Sequence, residues 1–319
     1  MSDGPPGRAG PPGDPPPPKP VPYSNTVLVP PGEERAIVDS HCHAWRRWPY
    51  AGLVPDEDHR GTIDQLLYEM DGHGVAAAVL ISAAITNNPD NLDYLAFAVG
   101  RYPDRLRLFA DLDCPWSATY HQAGSAGRLR DLDDRYALSG VTHYVAGPEN
   151  DGWLASDQAD QLFAAAAERD LVVSLSAGPR WQRDLRALAQ RHPSVPVLCN
   201  HLGSVRSDDP TGVEELLQSA AVGNILLKVS GFHYAAARSW DYPWPSELEV
   251  FRRLYDRFGP DRLCWGSDFP AAKWACTYRQ SLEVVRTHCD FLGPDDLRLI
   301  LGGTMRRVLT SRRPPPWPP

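Results

Sequence analysis

From Arg35 onward, short and nearly continuous apolar runs alternate with longer stretches whose apolar residues recur at helical spacing. The runs are Ala36–Ser40, Val75–Ile81, Leu106–Asp111, Gly140–Val145, Leu171–Ser176, Val195–Asn200, Ile225–Ser230 and Arg262–Gly266. Runs of this kind are what strands need when helices cover both faces of a parallel sheet. The intervening segments supply those helices. In Thr62–Asp71, Thr62 stands where an N-cap belongs, and Ile63, Leu66, Leu67 and Met70 fall on one face. Asn91–Arg101, Asp157–Arg169, Asp184–Arg191, Val213–Ala221, Ser246–Phe258 and Tyr278–Cys289 repeat the plan. Thr119–Tyr136 is weaker, broken by Gly124 and Gly127, and a last helix is expected over Pro294–Leu309. Eight β–α repeats predict an α/β protein with a (β/α)8 TIM barrel. An open doubly wound sheet would want a Gly-rich phosphate turn after its first strand, and Ala36–Trp45 has none.

Composition sharpens the domain picture. Of 32 prolines, 12 precede residue 32 and five follow residue 313, so 17 sit near the ends. The expected organisation is a disordered Pro-rich tail over 1–34, the barrel over 35–310, and a second such tail over 311–319. A net charge of −8 disfavours nucleic acid as a partner. No apolar run is long enough for a membrane span, and the N-terminus has no signal-peptide core. Six cysteines without a CxxC spacing suit a cytoplasmic enzyme better than a disulfide scaffold.

A barrel places its chemistry at the C-terminal ends of its strands. The first strand ends in Asp39-Ser40-His41-Cys42-His43, where alternation puts His41 and His43 on one face. An isolated HxH reads as well as two hydrogen-bonded core histidines; its place at the rim is what points to metal binding or catalysis. The sixth run stops at His201 and the eighth at Asp268, at the same level as the histidine pair. Aromatic and cationic side chains follow several strands. They include Trp45, Arg46, Arg47 and Trp48, then Arg180 and Trp181, then His233 and Tyr234, then Lys273 and Trp274. Such groups suit a carboxylate or a sugar ring. Lys228 and Ser230 share a strand face and fit packing or substrate contact alike.

The segments VDSHCHAW, CNHLG, KVSG and WGSDFP, in this order, resemble the amidohydrolase superfamily, and within it the amidohydrolase-2 branch of lactonases and metal-dependent decarboxylases. The resemblance runs from about Ala36 to Leu309. It implies a barrel in which His41, His43 and Asp268 surround a divalent metal, zinc by preference, or its vestige. His201 matches a histidine that contacts substrate or moves a proton. Three positions depart from the pattern. Ser176 stands where metal-binding members carry a fifth-strand histidine, His143 lies where relatives show Arg, Lys or Glu, and Gly303-Thr304-Met305 replaces an Asn-Ala pair.

The activity expected is hydrolysis of a lactone or related cyclic ester or amide. Asp268 acts as general base and His201 assists, while His143, Arg180, Trp45, Arg46 and Lys273 bind a small, carboxylate-bearing substrate. Alternatives are a metal-dependent non-oxidative decarboxylase and a catalytically silent barrel that binds a partner. A homodimer is the default assembly.

Overall fold

The computed structural model describes residues 37–50, 56–85, 87–145 and 152–310. The Pro-rich tails expected over 1–34 and 311–319 lie outside these residues. Eight parallel strands run in the order of the chain: β1 (Val38–Cys42), β2 (Ala77–Ile81), β3 (Leu106–Asp111), β4 (Gly140–Tyr144), β5 (Val172–Ser176), β6 (Val197–Cys199), β7 (Ile225–Val229) and β8 (Leu263–Trp265). Each strand pairs with the next, and the circle closes beyond β8. There Asp268 N donates to His41 O at 2.8 Å and His43 N to Phe269 O at 2.6 Å. This is the (β/α)8 TIM barrel that the apolar runs predict.

The helices are α1 (Ile63–Gly72), α2 (Asn91–Arg101), α3 (Ser125–Tyr136), α4 (Asp157–Glu168), α5 (Gln182–Arg191), α6 (Pro210–Gln218), a short α7 (Phe232–Ala235), α8 (Pro245–Phe258) and α9 (Tyr278–Arg286). Thr62 caps α1 by accepting from Gln65 N, as its place in the sequence predicts. The last helix is not continuous. It divides into α10 (Pro294–Arg298), a π-helical turn over Leu299–Gly303, and α11 (Thr304–Thr310). Two adjacent glycines in that turn, Gly302 and Gly303, lower the helical preference of the backbone there. Among the described residues no helix is long and apolar enough to cross a membrane.

Two apolar clusters hold the barrel. The larger fills the space between strands and helices, and joins Leu66, Leu95, Phe163 and Phe251 of the helices to Leu108, Val141, Val173 and Leu227 of the strands. The smaller lies inside the barrel and contains Val38, Val79, Phe109, Leu198, Leu226 and Cys264, with Met305 and Leu309 of α11. The closing helix therefore plugs the N-terminal mouth and leaves chemistry to the other end. All six cysteines are buried free thiols.

Candidate active site

The first strand carries an irregularity that decides where its histidines point. Asp39 pairs with Ala78 and Cys42 with Leu80, so three steps along β1 match two along β2. This one-residue bulge changes the inside–outside parity. Val38 belongs to the interior cluster, yet Cys42, four residues on, belongs to the outer one. Strict alternation from Val38 would have turned Ser40 and Cys42 inward. With the bulge, His41 and His43 face the lumen.

Opposite them stands Asp268, just past β8. Its Oδ1 lies 3.4 Å from His41 Nε2, 3.7 Å from His43 Nε2 and 4.0 Å from His201 Nε2. Its Oδ2 accepts from the Tyr234 hydroxyl at 2.7 Å. Asp268 and His201 both have left-handed backbone, with φ of 56° and 50°, a conformation the surroundings must enforce. Two glycines make the approach possible. A Cβ on Gly266 would lie 2.8 Å from His41 Cβ, and one on Gly231, where φ is +69°, would lie 2.9 Å from His201.

Each imidazole has a different support behind it. His43 Nδ1 donates to Ile81 O at 2.7 Å, leaving a lone pair on Nε2, and Trp45 stacks on its ring at 4.9 Å. His201 Nδ1 meets Ser230 Oγ at 3.0 Å. His41 Nδ1 faces Lys228 Nζ at 2.9 Å. Burial holds His41 well below the ordinary imidazole range, with the Lys228 ammonium adding to the effect. Burial also lowers His43, against the pull of Asp268, and takes His201 down to about 3. All three rings are thus neutral near pH 7. Burial draws the Lys228 ammonium down to about 7, with nearby thiols and the Asp39 and Asp268 carboxylates opposing it.

Beneath this layer Asp39 ties the two ends of the barrel wall together. It accepts from His41 N at 3.1 Å, Ser267 N at 2.9 Å, Ser267 Oγ at 2.5 Å and the Tyr278 hydroxyl at 3.0 Å. Burial nevertheless raises its carboxyl to about 6.

One donor atom from each of His41, His43 and Asp268 lies within 4.8 Å of the others, an arrangement that could hold a divalent ion. The side chains fit such a role. His41 Nε2 is buried with no hydrogen-bond partner, and the Ile81 carbonyl orients His43 as a ligand's second nitrogen requires. Ser176 faces the lumen at the fifth strand and offers no imidazole, because Val172, Ser174 and Ser176 share the inward face of β5.

The sequence model of the amidohydrolase family matches residues 38–310, the whole of this barrel. The chain belongs to the amidohydrolase family. It is an enzyme of the amidohydrolase-2 hydrolase type, as the four segments imply. An L-fucono-1,5-lactonase of Burkholderia ambifaria is 30% identical over 299 residues, covering 87% of this chain and 96% of the relative. Two solved structures share the fold. An amidohydrolase from Burkholderia multivorans with bound zinc superposes with a TM-score of 0.69 at 21% identity, over 86% of this chain and 99% of its own. A probable 2-pyrone-4,6-dicarboxylic acid hydrolase from Acinetobacter baumannii with citric acid bound gives 0.66 at 20% identity, with the same two coverages.

Within this amidohydrolase the expected rim residues divide. His41, His43, His201 and Asp268 converge. Trp45 is buried and supports His43, its indole donating to Ala83 O at 2.9 Å. Arg180 remains exposed beside Trp181 on the turn after β5. Three residues go elsewhere. Arg46 pairs with Asp90 at 3.4 Å and covers Tyr94, in a groove shared with α1. Lys273 lies over Phe269 and reaches Arg60 O, on the side of Glu69. His143 faces outward with Val141, stacked 4.1 Å from Trp153 and bonded through Nδ1 to Leu112 O at 2.9 Å. Alternation explains the last correction: Gly140, against Phe109, sets the inward parity of β4 and makes Tyr144 the lumen residue.

Several site residues were not singled out by the sequence reading. Tyr50 and Tyr144 lie within electrostatic range of Asp268, and burial keeps both phenols well above their ordinary range, hence protonated. Asp111 ends the inward face of β3 and is fixed by Ser82, by Ala84 N at 2.9 Å and by Trp116 Nε1 at 2.7 Å. Counting inward positions along each strand from its apolar floor residue would have found Asp111 and Tyr144.

Proposed function

We propose that this enzyme hydrolyses a neutral, polyhydroxylated lactone. The observation that carries the reading is the convergence of three neutral imidazole Nε2 atoms on one oxygen of Asp268. A water held between Asp268 and the His43 lone pair gives its proton to Asp268 as its oxygen attacks the carbonyl carbon. The carbonyl oxygen gains the charge and is stabilised by N–H donors from the His41 side. Collapse breaks the ring C–O bond, and the departing alkoxide takes the proton back from Asp268. Tyr234 holds the carboxylate in line throughout. His41, His43 and Asp268 would hold a divalent ion such as zinc, which supplies Lewis acidity at that point when bound.

The lining supports a polyol over a carboxylate-bearing substrate. Asp111 and the phenols of Tyr50, Tyr144 and Tyr234 offer acceptors and donors for hydroxyls, while Arg46 and Lys273 point away from the lumen. The 30% identical L-fucono-1,5-lactonase adds weight to a sugar lactone. A panel of aldonolactones, pyrone carboxylates and aromatic acids, read by proton release and by CO2 release, tests this. Turnover of aldonolactones is expected; CO2 release from an aromatic acid without lactone turnover would replace the reading with decarboxylation.

A further inference from the structure

The seventh strand carries a lysine that the reaction above does not use. Lys228 is fully buried in the barrel interior, with its ammonium 5.7 Å from the centre of the Phe109 ring. It makes two polar contacts, to His41 Nδ1 at 2.9 Å and to Ser174 Oγ at 2.8 Å. Ser174 passes its own hydroxyl proton on to Asn200 Oδ1 at 2.9 Å, so Lys228 is the donor to Ser174. In its ammonium form Lys228 has donors and no acceptor, so His41 Nδ1 then accepts from it as well. A neutral imidazole with a bare Nδ1 carries its proton on Nε2, the atom that faces Asp268 and the lumen.

His41 and His43 are backed in opposite ways. A carbonyl behind His43 leaves a lone pair facing the site; an ammonium behind His41 leaves an N–H there. A ligating histidine ordinarily donates its second nitrogen to a carboxylate, a carbonyl or water. His41 has the reverse arrangement.

We propose that Lys228 is a positioning residue that fixes His41 as the Nε2–H tautomer, making it the carbonyl-polarising donor and opposing metal capture at that ring. The mechanistic half rests on the hydrolytic reading above; the tautomer and the metal affinity do not.

Two measurements test the proposal without a substrate. In metal-free protein labelled with 15N-histidine, two-bond 1H–15N correlations, assigned against His41→Gln, should show His41 protonated on Nε2. In Lys228→Gln, whose amide oxygen can accept, the proton should move to Nδ1. Zinc should then bind at least tenfold more tightly by calorimetry, and kcat should fall about 10²-fold with KM changing less than threefold. A wild-type His41 protonated on Nδ1 overturns the proposal, whether or not the variant folds. A folded Lys228→Gln protein with unchanged tautomer and zinc affinity overturns it too. Absence of lactone turnover in both proteins would instead strike the proposed function.

Discussion

At the N-terminal mouth of the barrel, Val38, Phe109, Leu198 and Leu226 meet Met305 and Leu309 in an apolar plug. A few residues further along the same strands, the lumen holds Lys228, Ser174, His41, His43 and Asp268, all buried or nearly so and all polar. The strands are shared, so the difference lies in what each layer is for. The plug gains stability from burial and tolerates exchange among apolar shapes. The polar layer has desolvation against it and persists only because nearly every group has a specified partner. Its geometry is correspondingly hard to alter without losing chemistry.

Four substitutions break or sharpen that contrast. Asp268→Asn should lower kcat about 10³-fold while leaving the unfolding midpoint within a few degrees. An activity above a tenth of wild type would remove Asp268 as the base. On the outer face at the same height, His143 should matter for stability alone. Burial lowers its imidazole from 6.5 to about 4, so the unfolded chain takes up the proton first. Stability from this group is complete above pH 6.5 and is lost as pH falls through about 4, by about 3 kcal/mol. Urea unfolding of wild type and His143→Gln across that window should show the extra loss only in wild type, with turnover at pH 7 preserved. A stability difference that does not change with pH would refute the assignment. Met305→Ala in the plug should cost about 3 kcal/mol and change kcat less than threefold. A large catalytic effect would mean that the two layers are mechanically coupled. Arg46→Ala should change neither stability by more than about 0.5 kcal/mol nor KM, because its exposed ion pair with Asp90 lies outside the lumen.

Much of this was legible in the amino-acid order. Continuous apolar runs gave the eight strands because both faces of each are covered, and polar residues at their ends gave His41, His43, His201 and Asp268. What stayed hidden depended on parity and on long-range pairing. His143 looked like a rim residue because periodicity alone does not say which face of β4 is inward; the Gly140 contact with Phe109 does. Arg46 and Lys273 looked like substrate clamps because a charged residue after a strand can swing either way; here Arg46 found Asp90 and Tyr94 at the start of α2, and Lys273 lies toward Glu69 of α1. Asp39 passed unnoticed because its four donors come from residues 41, 267 and 278, which only the closed barrel brings together. The continuous last helix was overpredicted, since its apolar spacing carries across the π-helical turn at Leu299–Gly303.

The extra residue between Asp39 and Cys42 has a practical meaning for anyone editing this gene. It works as a frame shift in space: the floor and the chemistry of the first strand are read in different phases. Deleting Ser40 would leave the apolar run of β1 intact and its composition almost unchanged. It would also take away the bulge itself, so plain alternation from Val38 would keep both imidazoles in the lumen; straightening the bulge with every residue still present is the change that would send them out among the helices and bring the Cys42 thiol in.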